Sequence, residues 1–422
     1  MSAAPSDSPA DRRAWLLTLP EPERARWLEA RLAERAELPA GQPFLAAPPL
    51  PDGAAIGTVV RRAVMEVLGL PVYPRELAAQ PTLRCLAGYL TRELAAPAGK
   101  PALAPATDLF AGGEWGWGEP PPPEGRQLPP AVFILSAPRS GSTLLRVMLE
   151  AHSALFAPPE LNLLPFGRMG DRGRLLDRLG YTWMRRGLGS ALSELEGLGA
   201  GAAEAALAAL ETENLPVSAV YRRLQRLAAP RLLVDKSPLY ALDLAWLQRA
   251  ETLFRAAKFI HLTRRPEAMM ESFVRMRFHR LLGNHWRVWD EDAWALAEKV
   301  WTVANQQVLA FLDEVEPARQ RRLTFETLVT RPQAALAELC EFLSLPYETG
   351  LANPYAGERM TRGLRPGEIA IGDPNWLTRS RIEPDRLTAW RISPPPQPLG
   401  VSARQVAGRL GYQLTDANAE EP

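Results

Sequence analysis

Residues 131–145 read Ala-Val-Phe-Ile-Leu-Ser-Ala-Pro-Arg-Ser-Gly-Ser-Thr-Leu-Leu. The opening run is short and almost unbroken in its apolarity, as a strand buried on both faces of a parallel sheet requires. Small residues and Gly141 then make a tight turn, and apolar residues resume at helical spacing through Leu149. Apolar runs at 231–235, 258–263 and 321–325 alternate with helical patterns at 239–253, 266–276, 292–312 and 332–343. This rhythm predicts an α/β domain over 131–422, with a P-loop-like parallel sheet flanked by helices. The Leu- and Ala-rich stretch at about 175–227 interrupts the strands and reads as an inserted helical cap.

Upstream the style differs. Residues 12–94 carry helical patterns at 15–36, 54–68 and 81–94, a small all-α bundle. Residues 95–130, with the proline run 120–123, read as a semi-rigid linker. The 422 residues have a net charge of +1, which argues against a bulk nucleic-acid or polybasic membrane binder. Of 49 basic side chains 45 are arginine, and there are four lysines and four histidines, so a Lys or His inside a motif is not drawn from a plentiful background. Cys85 and Cys340 lie in apolar helical patterns and are expected to be buried free thiols. The chain lacks both an apolar run of membrane-spanning length and an apolar signal core at its start, so the expected setting is soluble and cytoplasmic.

A loop between a buried strand and a helix aims backbone N–H groups at one point beside the positive helix end, which suits a phosphate-like anion. Gly141 permits the turn, Ser140, Ser142 and Thr143 add hydroxyls, and Arg139 adds a charged fork. Against the nucleotide-triphosphate loop G-x-x-x-x-G-K-[ST], Ser136 stands for the first glycine and Ser142 for the lysine. The cradle is kept and the lysine that serves the outer phosphates is lost. Asp235, after an apolar run, imitates a magnesium-binding aspartate and keeps a kinase or nucleotide hydrolase open as an alternative.

The loop resembles the 5′-phosphosulfate loop of sulfotransferases that use 3′-phosphoadenosine-5′-phosphosulfate (PAPS). A second match is Phe259-Ile-His-Leu-Thr-Arg264, followed by a helix with Ser272, and a third is the FxxLVxxP-like stretch from Phe325 to Pro332. The resemblance implies that Arg139, Ser140, Gly141, Ser142, Thr143 and Leu144 hold the 5′ side of the donor, and that Arg264 and Ser272 grip its 3′-phosphate. Sulfuryl transfer moves less charge than phosphoryl transfer, so no metal is expected. Glu160, among prolines and leucines, is the expected general base, a role also implied by likeness to tyrosylprotein sulfotransferases and to sulfotransferase domains of polyketide assembly lines. His152 is the competing base. Lys236, at the end of a strand, is expected to stabilise charge on the bridging oxygen or the sulfuryl group. His279 and His285 are candidates for the acceptor pocket or for the surface. The loop 364–376 resembles the family's late, site-closing loop, with no residue carried over.

Residues 12–94 resemble an acyl carrier protein domain. Counting back from Gly69, the carrier's Asp-Ser-Leu falls on Gly53, Ala54 and Ala55. With Ala54 in place of the attachment serine, the resemblance implies a degenerate carrier that takes no phosphopantetheine. A carrier-like unit before a sulfotransferase resembles olefin-forming polyketide synthase modules. That likeness implies PAPS and a hydroxylated small-molecule or carrier-bound acyl acceptor as partners, with a polyketide synthase carrier domain as a further candidate and neither nucleic acid nor membrane. A non-catalytic docking protein stays open as another alternative.

Overall fold

The structure is a computed structural model that describes residues 8–38, 56–73, 76–77, 80, 82–95, 127–179, 181–281, 292–362 and 372–414. Most of the linker, Gly53, Ala54 and Ala55, His285 and residues 364–371 lie outside the described residues.

The helical front end comprises α1 (Pro9–Leu17), α2 (Glu21–Ala36), α3 (Ile56–Leu68) and α4 (Leu83–Ala95). The single helix expected over 15–36 is two helices, because Pro20 caps α2 and has no N–H with which to continue α1. Leu16, Leu28, Leu32, Val60, Val64, Leu86 and Leu90 bury one another in a core of their own. Cys340 is buried as expected, but Cys85 is exposed. Leu83, Leu86 and Leu90 take the inward stripe of α4 and leave position 85 on its outer side.

The α/β part then runs β1 (Val132–Leu135), α5 (Ser142–Glu150), β2 (Leu155–Phe156) and the cap helices α6 (Met169–Leu179), α7 (Arg186–Glu196), α8 (Ala200–Thr212) and α9 (Val217–Ala228). It continues through β3 (Leu232–Lys236), α10 (Leu244–Leu253), β4 (Lys258–Thr263), α11 (Pro266–Arg275), α12 (Ala293–Leu312), β5 (Gln320–Thr324), α13 (Phe325–Thr330), α14 (Pro332–Leu343) and α15 (Val401–Leu410). The five strands form one parallel sheet in the order β2-β3-β1-β4-β5. Strand alternation divides two cores across it: Phe133, Leu135 and Phe259 face the cap and α12, while Val132, Ile134, Ile260 and Leu262 face α5 and α14. With β1 central and the chain winding to either side of it, the C-terminal strand ends open on one edge, where α/β sheets place their sites. Among the described residues no helix is long and apolar enough to cross a membrane.

Candidate active site

Each strand delivers a residue to that edge. The loop after β1 carries Arg139 to Thr143, β3 ends in Lys236, Arg264 follows β4, Phe325 follows β5, and Glu160 lies four residues beyond β2. Arg139, Gly141, Ser142, Thr143, Leu144, Glu160, Arg264 and Ser272 line one cavity of roughly 230 Å³. Two loop residues are left-handed, Arg139 (φ 66°) and Gly141 (φ 92°). A Cβ on Gly141 would stand 2.3 Å from the Phe325 ring, so sterics and backbone conformation both demand glycine.

Arg264 is held from three sides. Its guanidinium lies 4.5 Å from the centre of the Phe325 ring, Nη1 donates to Arg139 O at 2.8 Å, and Nη2 donates to Arg386 O at 3.1 Å. Burial pushes its pKa down to about 10, so it stays a cation at neutral pH. Arg139 Nε donates to Ser272 Oγ at 3.4 Å, which brings the two expected donor-binding segments together. The Arg264 Nε is buried without a protein partner. An unmet cationic donor in such a cradle fits a phosphate-bearing ligand.

Lys236 Nζ donates to Glu160 Oε1 at 2.6 Å and lies 3.4 Å from Thr143 Oγ1. The Lys236 side chain is 1% exposed and that of Glu160 18%. Burial pushes the amine below its usual range, and the neighbouring Glu160 carboxylate works against this. The Glu160 segment is fixed by groups scattered through the chain. Ser237 Oγ accepts from Asn162 N at 3.1 Å, Tyr240 Oη accepts from Leu163 N at 2.8 Å, and buried Arg172 of α6 donates to Leu161 O and Asn162 O. Helix α7 touches Glu160 through Gly187, where a Cβ would stand 1.9 Å from the Glu160 carbonyl oxygen.

Asp235 lies behind this layer. Its carboxylate accepts from Tyr221 Oη (2.6 Å), Ser237 Oγ (3.0 Å) and Tyr240 Oη (3.2 Å). Burial pushes its pKa up to about 6, with the three hydroxyls pulling the other way. It orients the residues that hold the Glu160 segment, an arrangement unlike the metal-facing aspartate its sequence position suggested.

The sulfotransferase family profile matches residues 130–349, the span that holds every one of these groups except Arg386. The chain belongs to the sulfotransferase family. It is 29% identical over 280 residues to the nodulation protein NoeE of Sinorhizobium fredii, covering 63% of this chain and 60% of that relative's length. It is 24% identical to a putative protein-tyrosine sulfotransferase of Caenorhabditis briggsae, over 61% of this chain and 80% of the relative. Among solved structures, the sulfotransferase domain from the curacin biosynthetic pathway is 44% identical, with a TM-score of 0.63 over 69% of this chain and all of that domain. The sulfotransferase domain of the Synechococcus PCC 7002 olefin synthase is 39% identical, with a TM-score of 0.62 over 70% of this chain and 98% of that domain.

Not every expected residue of this family member reaches the cavity. His152 does not line it: its Nε2 lies 2.8 Å from Pro346 O and its Nδ1 accepts from Ala154 N at 3.0 Å. Both ring nitrogens thus serve the turn after α5, away from the cavity that Glu160 lines. His279 is largely buried, which pushes its pKa down to about 4, and it too is not among the lining residues. Ser140 sits under the loop, buried. Sequence reasoning missed Arg275, Arg379 and Arg386, which also line the cavity, and gave Phe325 only as part of a motif with no place in the site. From the late loop, Gly372 and Asp373 reach the site. Burial would raise the Asp373 carboxyl, but Arg139 and Arg379 hold it well below the usual range, with Arg379 Nη1 at 2.9 Å.

Proposed function

We propose that the chain moves a sulfuryl group from PAPS to a hydroxyl of an apolar or carrier-tethered acyl acceptor. The observation that carries this reading is the Lys236–Glu160 contact at 2.6 Å, set against Thr143 of the anion loop in a cavity shared with Arg139, Arg264 and Ser272. Bound there, PAPS would supply a sulfuryl group already activated by its bond to phosphate.

Glu160 takes the proton of the acceptor hydroxyl as the oxygen forms its bond to sulfur. The bond from sulfur to the bridging phosphate oxygen breaks, and that oxygen keeps the electron pair. Lys236 and the Thr143 hydroxyl stabilise the charge that develops there, while backbone N–H groups of the loop hold the phosphate. The products are a sulfate ester, 3′-phosphoadenosine-5′-phosphate (PAP), and a proton on Glu160 that passes to solvent. Arg139, Gly141, Ser142, Thr143 and Leu144 bind the 5′ side of the donor, and Arg264 with Ser272 the 3′-phosphate. In this reading residues 12–94 are a carrier-type bundle that takes no phosphopantetheine, since Ala54 stands at the attachment position. The likeness to domains of curacin and olefin synthase pathways supports an acceptor delivered on a carrier.

Calorimetric binding of PAP, followed by transfer of label from sulfur-labelled PAPS to a 3-hydroxyacyl pantetheine thioester, tests the reaction. Absence of PAP binding would sink it. Incubation with a phosphopantetheinyl transferase and coenzyme A tests the front end, and any mass gain would contradict the assignment.

A further inference from the structure

The cavity is not built by the α/β part alone. Arg61, Pro71, Val72 and Tyr73, from α3 and the segment that follows it, line the same space as Glu160. Tyr73 Oη donates to Met276 O at 3.0 Å, and Tyr73 N donates to Glu76 Oε2 at 2.9 Å. Met276 follows α11, the helix that carries Ser272, and with Phe278, Leu281 and Trp183 it forms an apolar wall.

What holds Tyr73 there is a buried charge network across the two units. Arg277 donates to Glu76 Oε1, to Pro71 O at 3.2 Å, to Tyr89 Oη at 2.8 Å and to Glu93 Oε2 at 3.3 Å. Glu76 also accepts from Tyr89 Oη at 2.6 Å, and Arg280 reinforces Glu93 at 2.7 Å. The Arg277 and Glu76 side chains are each 7% exposed. Burying such a pair is costly unless its remaining hydrogen bonds are met, and here four acceptors converge on one guanidinium. Arg277 also adopts a left-handed backbone (φ 51°), which a non-glycine residue holds only where its surroundings fix it. This is the architecture of a permanent joint and not of a tethered neighbour.

We propose that the N-terminal helical unit is a fixed wall of the acceptor cavity, with Tyr73 limiting the size of the acyl chain that fits and Arg277 positioning it. The assignment rests on the sulfuryl-transfer reading. The donor-binding groups lie on the loop, Arg264 and Ser272. The Tyr73 hydroxyl is bonded to Met276 O, beyond Ser272, although Arg139 and Asp373 also lie within electrostatic reach of it, so PAP binding is measured beside the acceptor ratio.

The test uses the full chain, short- and long-chain 3-hydroxyacyl pantetheine thioesters as acceptors, and PAP binding by calorimetry. Tyr73→Ala is expected to raise kcat/KM for the long relative to the short acceptor by about tenfold, with PAP affinity within about twofold of wild type. Glu76→Arg and Arg277→Glu should each raise the acceptor KM about tenfold with PAP still bound, and the double swap should recover part of the loss. A merely structural network would lower kcat and PAP affinity along with any rise in the acceptor KM. Tyr73→Phe, which deletes only the hydroxyl, serves if the charge variants do not fold, and a modest rise in the acceptor KM is expected. An unchanged acceptor ratio in Tyr73→Ala, or an equal loss of PAP affinity, overturns the assignment. So does a wild type that binds PAP but neither binds nor sulfonates any thioester. Failure of the wild type to bind PAP overturns the sulfotransfer reading instead.

Discussion

Replacing Glu160 by Gln separates two quantities that the 2.6 Å contact with Lys236 joins. The first is rate. A positioned carboxylate acting as general base contributes about 10²–10⁴ in turnover, so Glu160→Gln should lower kcat at least about a hundredfold, close to 3 kcal/mol of barrier. PAP affinity should stay within about threefold, because the donor cradle does not depend on the carboxylate. The second is stability. Removing one partner of a buried pair leaves an uncompensated charge, at a cost of about 3–5 kcal/mol. Lys236 is 1% exposed, so it feels most of that penalty, but it has an escape: it can lose its proton. At its ordinary pKa, deprotonation at pH 7 costs about 5 kcal/mol, and burial has already moved the amine below that value. A deficit toward the low end of that range, about 3 kcal/mol, is therefore expected, or roughly 3 °C in Tm.

Two controls make the reasoning refutable. Without the carboxylate the folded Lys236 falls further below its unfolded value. The unfolded chain then binds more protons between those two values, and stability rises with pH across that window. The Glu160→Gln deficit should thus shrink as pH is raised toward about 10. Adding Lys236→Met removes the orphaned charge, so the double variant should be at least about 1 kcal/mol more stable than Glu160→Gln while remaining inactive. Denaturant unfolding across pH and label-transfer kinetics check both. Near-normal turnover in Glu160→Gln would refute the base assignment. A deficit that neither shrinks with pH nor responds to Lys236→Met would refute the electrostatic account.

Other residues give independent tests. Gly187→Ala should shift α7 off the Glu160 carbonyl, costing about 1–3 kcal/mol in unfolding free energy and cutting turnover with PAP affinity unchanged; equal losses of turnover and PAP affinity would argue against it. Ser272→Ala should weaken PAP binding about tenfold by calorimetry with little change in Tm. For Asp235 the sign is opposite to that of an ordinary surface carboxylate. Its folded pKa of about 6 exceeds the unfolded value, so the native state binds more protons in between, and its contribution is full below about pH 4 and lost as pH rises through 6. Relative to Asp235→Asn, the wild type should therefore lose about 2 kcal/mol between pH 4 and 7, and parallel pH profiles would contradict the buried-carboxyl assignment.

The α/β architecture was legible because its signals are local. A strand buried on both faces must be apolar throughout, and a left-handed turn against Phe325 must be glycine, so 131–145 announces its own conformation. Lys236 was legible for a statistical reason: in a chain with four lysines, one at a strand end stands out. What was not legible depends on approach between distant segments. Nothing around residue 187 signals that its missing side chain makes room for the carbonyl of residue 160. Nor does His152 advertise that its ring nitrogens are spent on Pro346 O and Ala154 N. Pro20 was the exception, a local signal that divides α1 from α2 and outranks the helical spacing around it.

Arginine shows the limit most clearly, because abundance hides three different energetic roles behind one residue type. Arg321 pairs with Glu338 at 2.6 Å with both side chains largely in water, where such a pair is worth less than about 1 kcal/mol. Arg264 is buried on Phe325, its Nη groups tied to backbone carbonyls and its Nε unmet by protein, a cation that the proposed sulfuryl transfer assigns to the donor's 3′-phosphate. Arg277 is equally buried but saturated by carboxylates and oxygens of the helical unit, so its charge is spent on holding two parts of the chain together. Arg264 falls in a strand-end motif that sequence can recognise. Arg277, thirteen residues later, differs only in what the fold brings to it, and Glu76 and Glu93 come from a segment some two hundred residues away. The partner set, which the fold alone supplies, distinguishes a cation with a donor left unmet by protein from one saturated within the chain.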